Sequence, residues 1–175
     1  GRWSFITLTG KNELKTSIFT YYYPTRNTLP GSVFSQHLIY MAEHKNDLNT
    51  SCPRQLFGMD LKLAIEERID LGHQIIVLGD FNSDYTKLKI WMMQLGLQDI
   101  IATRHGPGPK TYDRSQDSPI DCIFTSTQIP IRLGGFLPFG KLLGDHQGLW
   151  IDILKIGLYG YNLPHPKLFQ ARKLK

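Results

Sequence analysis

Apolar residues change their spacing several times between Trp3 and Ile153, and each change marks an element. Trp3 to Thr9 alternates loosely and predicts a strand. Gly10-Lys11-Asn12-Glu13 is a turn, and Leu14 to Tyr22 returns as a second strand, so the two read as a hairpin. Pro24 ends it, since proline cannot donate to a ladder. After a loop from Thr25 to Gly31, Ser32 is a fair N-cap for a helix with Phe34, Leu38 and Met41 at helical spacing. Pro53 opens the next helix, with Leu56, Met59, Leu63 and Ile69 expected to face the core and Gly72 to stop it. Ser83 and Asp84 cap a further helix through Leu95, whose Leu88, Trp91, Met92 and Leu95 share one face. Pro119 to Thr125, Ile131 to Phe139 and Gln147 to Ile153 read as late strands. Strands interleave with helices early and cluster late, which predicts an α/β fold with a mixed sheet.

Ile75-Ile76-Val77-Leu78 runs without alternation, as a strand buried on both faces does. It ends on Gly79-Asp80-Phe81-Asn82. Alone, this tetrad also reads as a turn. In an extended backbone, Asp80 and Asn82 would point to the same side, a carboxylate and an amide on a rigid support. Asp121 stands in an apolar strand between Ile120 and Cys122-Ile123-Phe124, where it needs a partner or an edge facing water. Asp145-His146 precedes the last strand, and Tyr22-Tyr23-Pro24 closes the second. Each is weak by itself: a turn, an ordinary strand aromatic.

Composition narrows the setting. With 175 residues and 41% hydrophobic residues, the chain is one domain or most of one. No run is long and apolar enough to span a bilayer, and no membrane partner is expected. No secretory signal is visible, and the chain opens on Gly1-Arg2-Trp3, already strand-like, so a fragment of something longer is expected. Cys52 and Cys122 form neither a disulfide framework nor a zinc spacing, which favours a reducing, intracellular compartment. The net charge of +5 suggests nucleic acid until its distribution is considered. Lys155, Lys167, Arg172, Lys173 and Lys175 follow Asp152 with no acidic residue among them, so the excess sits in the tail. Residues 154–175 therefore read as a basic tail or linker behind a domain spanning 1–153.

In order, the motifs are Tyr-x-Pro, Gly-Asp-Phe-Asn, Ile-Asp-x-Ile-Phe and Gly-Asp-His. This succession resembles the C-terminal portion of the endonuclease/exonuclease/phosphatase, or DNase I-like, superfamily from Trp3 to about Ile153. The resemblance implies a DNase I-like β-sandwich flanked by helices, partial because the N-terminal lobe is lacking. Within the superfamily the chain looks most like a non-LTR retroelement or transposon-derived endonuclease domain. The hints are Lys110-Thr111-Tyr112 ahead of Pro119-Ile120-Asp121, Leu95-Gly96-Leu97-Gln98-Asp99, and the basic tail.

The resemblance also implies divalent-metal-dependent phosphodiester hydrolysis with Mg²⁺ or Mn²⁺. Asp145 resembles the metal carboxylate, Asp80 the group that orients or deprotonates water, and Asn82 a donor near the nucleophile and the phosphate. His146 resembles the contact to a non-bridging oxygen, Asp121 its partner, and Tyr22 a phosphate-contacting tyrosine. Arg26, Asn27, Thr111 and Tyr112 are expected to contact a nucleic-acid backbone. DNA is the implied partner, with a downstream reverse transcriptase and a nuclear setting if the retroelement likeness holds. The family's glutamate ligand has no match: Glu13 falls in a turn and Glu43, Glu66 and Glu67 on helices, so impaired activity is expected. The alternatives are a non-catalytic truncated remnant, or a phosphatase or phosphodiesterase acting on another phosphate ester.

Overall fold

The computed structural model describes residues 3–44, 52–106, 108–114 and 118–161. The first hairpin pairs β1 (Trp3–Thr9) with β2 (Lys15–Tyr22) across a 3-10 turn at Lys11–Glu13. Helices α1 (Val33–Glu43) and α2 (Pro53–Asp70) then lead to β3 (Gln74–Asp80). Beyond it lie α3 (Tyr85–Gln94), β4 (Leu97–Asp99), α4 (Ile100–His105) and β5 (Asp121–Ser126). The hairpin β6 (Ile131–Phe136) and β7 (Leu149–Ile153) and a short α5 (Lys155–Tyr159) complete the described chain. The main sheet runs β1-β2-β3-β5-β4, and β6-β7 form a second sheet. Among the described strands only β2 and β3 pair in parallel, because α1 and α2 supply the long crossover that a parallel connection needs.

Alternation along the central strands divides the core in two. Phe19, Tyr21, Ile75, Val77, Cys122 and Phe124 point to one face and pack against Phe57, Leu61 and Ile65 of α2 and Leu88 and Met92 of α3. Ile76 and Ile123 point to the other, against Ile100 and Ile101 of α4 and Ile131 of β6. Each such side chain contributes about 1.5–3 kcal/mol by leaving water. The unbroken run at Ile75 has its cause here: β3 has covered neighbours on both faces.

The caps predicted from sequence are made. Ser32 Oγ accepts from Ser35 N at 3.1 Å, and Asp84 Oδ1 from Lys87 N at 3.0 Å. The predicted core face of α2 is corrected. Met59 and Leu63 are exposed, and the buried stripe is Phe57, Leu61 and Ile65, spaced by four. Three elements were not expected: β4, α4 and α5. Asp99 explains α4, since its Oδ1 accepts from Ile101 N and Ala102 N and starts the helix. Part of the predicted tail, Lys155–Tyr159, is helical, and residues 162–175 lie outside the described residues. The described residues include no helix long and apolar enough to cross a membrane.

Candidate active site

Register brings the carboxylates together. Tyr22 pairs with Asp80 across β2-β3, and Asp80 pairs with Asp121 across β3-β5. Residues opposite one another on paired strands project to the same face, so these three form a row across three strands. It lies on the face toward the β6-β7 hairpin, where Ile76, Leu78 and Ile123 precede it. Strand β3 can end there because Gly79 has φ +154°, and a Cβ at that position would stand 1.9 Å from Tyr21 O. No L-residue fits so close to a neighbouring carbonyl.

His146 meets the row from the loop before β7. Its Nδ1 bonds Asp121 Oδ2 at 2.8 Å, which supplies the partner that a carboxylate in an apolar strand requires. With Asp121 accepting, Nδ1 carries the proton and Nε2 is left for a ligand. Tyr112 holds the ring from one side, with centroids 4.8 Å apart, and forms an isolated antiparallel bridge to His146. Two main-chain bonds fasten the same segments: Gln147 N to Thr111 O at 2.6 Å and Asp113 N to Asp145 O at 3.1 Å.

Electrostatics track the geometry. Burial, then the Asp121 charge, push the Asp80 carboxyl from its ordinary 3.8 to about 6, against the opposing Asn82 and His146 contacts. For His146, burial disfavours the cation, but the Asp121 hydrogen bond and the charges of Asp121, Asp80 and Asp145 outweigh it and raise the pKa. Ligand atoms of Asp80, Asp121 and His146 all lie within 4.8 Å of one another. Two adjoining carboxylates, one of them driven toward its protonated form, are a donor set whose negative charge a hard divalent cation would relieve. No glutamate joins this group among the described residues.

Asn82, by contrast, lies past the strand with φ +40°, so the extended backbone expected for Asp80 and Asn82 is not present. Its amide N donates to Asp80 Oδ1 at 3.0 Å and its Nδ2 to Tyr23 O at 3.0 Å, which folds the loop against the row. Asp145 is exposed beside His146 and outside the three-residue group. Thr111 is corrected from a backbone contact to a support: it is fully buried, and its Oγ1 accepts from Ile120 N and Asp121 N, both at 2.9 Å. Arg26 and Asn27 are exposed, and Asn27 Oδ1 accepts from Leu29 N within its own turn. Arg54 was not foreseen. Its guanidinium donates to Pro24 O and to Asn82 O and lies over the Tyr23 ring at 3.9 Å, so it ties both site loops to α2. Main-chain carbonyls leave no mark in a sequence, and the sole pointer was an arginine beside the Pro53 that opens α2.

No family model and no curated protein matches the chain. Solved structures do. An endonuclease/exonuclease/phosphatase from Beutenbergia cavernae is similar over 86% of this chain and 38% of that one, with a TM-score of 0.50 and 17% identity. The APE2 catalytic domain of Xenopus laevis is similar over 87% of this chain and 55% of that one, with a TM-score of 0.54 and 14% identity. The chain therefore spans about half, or less, of the length of these structures. They share with it the architecture, a helix-flanked α/β sandwich. This chain has the fold of these structures, the DNase I-like sandwich that its motifs led one to expect.

Proposed function

We propose that the chain carries the hydrolytic centre of a divalent-metal-dependent phosphodiesterase acting on nucleic acid. The observation that supports this most is the convergence of Tyr22, Asp80, Asp121 and His146, four groups from separate stretches, at one end of the sheet. Asp80, near 6, is ionised at neutral pH yet basic enough to take a proton from water. His146, whose cationic form Asp121 favours, presents Nε2 to a phosphate oxygen as charge grows there. Tyr22 stands beside Asp80 as a further donor to the phosphate. Asn82, bonded to Tyr23 O and to the Asp80 carboxyl, holds that carboxyl in place beside the phosphate. The carboxylates of Asp80 and Asp121 would hold Mg²⁺ or Mn²⁺, which when bound neutralises charge on the phosphate and the leaving oxygen, and Asp145 adds negative charge beside His146.

The fold hosts several phosphate-ester chemistries, so the substrate rests on the site and on the loops around it. DNA is our first choice, and a retroelement-type endonuclease its most specific form, supported by the Lys110-Thr111-Tyr112 stretch and the basic residues after Asp152. Turnover by these 175 residues is expected to be slow, since no glutamate joins the acidic group among the described residues. The test pairs supercoiled plasmid with an inositol phosphate, in Mg²⁺ and in Mn²⁺, and adds Mn²⁺ binding read by electron paramagnetic resonance. Nicking and Mn²⁺ binding should both fall in Asp80→Asn, and nicking should fall in His146→Gln. Release of inorganic phosphate without nicking would move the substrate to the other ester class. Mn²⁺ binding indifferent to Asp80→Asn, with no Asp80-dependent cleavage of either substrate, would leave only a non-catalytic remnant.

A further inference from the structure

Two loops leave the sheet at the end where the carboxylates stand, one after β2 and one after β3. Their main chains meet at Tyr23 N, which donates to Asp80 O at 2.8 Å. Asn82 then turns at φ +40°, a left-handed conformation that costs free energy in a residue other than glycine and has to be held. Its own Nδ2 grips Tyr23 O. A second grip comes from Arg54, in the first turn of α2.

The guanidinium of Arg54 donates Nη1 to Pro24 O and Nη2 to Asn82 O, the latter at 2.9 Å. One planar group thus bonds a carbonyl on each loop. It lies over the Tyr23 ring at 3.9 Å, and the Tyr23 hydroxyl donates back to Arg54 O at 2.9 Å, so the fork is fixed in direction. Among the described residues no carboxylate pairs with Arg54. The unneutralised cation makes charge-assisted bonds to both carbonyls, roughly twice as strong as neutral ones. Asn82 in turn donates its main-chain N–H to Asp80 Oδ1 at 3.0 Å. The chain of contacts therefore runs from α2 through Asn82 to a carboxylate of the site, and through Pro24 to the segment that follows Tyr22.

We propose that Arg54 is a positioning residue of the Asp80 centre, clamping the Pro24 and Asn82 carbonyls so that Tyr22 and the Asp80 carboxylate keep their places in the row. It acts through main-chain atoms and is not one of the ligating groups. That these places matter for a metal and a phosphate rests on the hydrolytic reading above; that the clamp holds the two loops does not. Lysine cannot replace it, because a single ammonium has no planar fork to span two carbonyls.

The test compares the 175-residue chain with Arg54→Lys and Arg54→Ala. Amide hydrogen exchange in EDTA reads the clamp without metal. Exchange at Tyr23 and Asn82 should quicken at least about tenfold in both variants, the effect of losing one hydrogen bond to a charged group. Val77 and Phe124, in the middle of their strands, should exchange as in the parent. Mn²⁺ binding, read by electron paramagnetic resonance, should weaken about tenfold, as it does when a group that orients a metal ligand is lost. Guanidinium chloride at low concentration should restore the Mn²⁺ affinity of Arg54→Ala, and sodium chloride should not. Exchange unchanged at Tyr23 and Asn82 would overturn the proposal. So would exchange quickened equally at Val77 and Phe124, because Arg54 would then support the fold as a whole. Mn²⁺ binding that depends on Asp80 but not on Arg54 would also overturn it, and would leave the hydrolytic reading standing. A parent chain that binds no Mn²⁺ would strike that reading instead, and exchange at Tyr23 and Asn82 would still decide the clamp.

Discussion

Asp80→Asn should stabilise the protein at neutral pH. Burial and the facing Asp121 carboxylate raise Asp80 from 3.8 to about 6 in the folded chain. Each tenfold change in acidity is worth about 1.4 kcal/mol, which gives roughly 3 kcal/mol in all. Asp80 is partly exposed, so solvent screening reduces this to about 1–2 kcal/mol. Proton counting sets the sign. Between pH 3.8 and about 6 the folded state holds more protons than the unfolded one, so stability falls as pH rises through that window. Above it the ionised Asp80 is a full liability to the fold. Asparagine cannot ionise, and its carbonyl oxygen can keep the bond from Asn82 N now made to Asp80 Oδ1. The variant should therefore melt about 2–8 °C higher at pH 7.5, and the difference should close below pH 4. Thermal and urea denaturation of both proteins at the two pH values measure it, with titrating groups remote from Asp80 cancelling in the comparison. A variant no more stable than the parent at pH 7.5, or a gain that persists in acid, would refute the reasoning.

Asp121→Asn should lower the pKa of His146, read by NMR of the imidazole, because the raising influence begins with the Asp121 hydrogen bond. In the parent, the stability conferred by His146 is complete below 6.5 and is lost as pH rises through its elevated folded value, a dependence that this variant should show more weakly. Thr111→Val should cost about 2–4 kcal/mol in urea denaturation, because two amides, Ile120 N and Asp121 N, lose their shared acceptor. Gly79→Ala should destabilise by about 3 kcal/mol or more, since its methyl would overlap Tyr21 O; a variant melting like the parent would show that β2 and β3 can separate there.

Asp80, Asp121 and His146, which the fold brings together, were legible because each stands out from its local pattern. Asp80 ends an apolar run, Asp121 interrupts one, and Asp145-His146 precedes a strand. The partner expected for Asp121 is His146, at 2.8 Å. The face of α2 was not legible because apolar residues lie on more than one side of it. Met59 and Leu63 compete with Phe57, Leu61 and Ile65, and only the sheet beneath decides which stripe is buried. Arg54 and Thr111 were missed, or misread as a contact, for a different reason. Both act on main-chain atoms of distant loops, and those partners have no residue identity to betray them. The bend at Asn82 was hidden as well, since asparagine tolerates both a strand end and a positive φ.

The carboxylates ride on paired strands, whereas the imidazole is delivered by a loop clasped to the segment around Tyr112. Among the described residues that clasp includes two main-chain hydrogen bonds and one ring contact, Gln147 to Thr111, Asp113 to Asp145, and Tyr112 on His146, besides the His146 bond to Asp121. A loop held this way opens more easily than paired strands. The centre can thus be dismantled by unfastening one strap while the sheet stays whole, and amide exchange at Asp113 and Gln147 would register that event well before the strands themselves come apart.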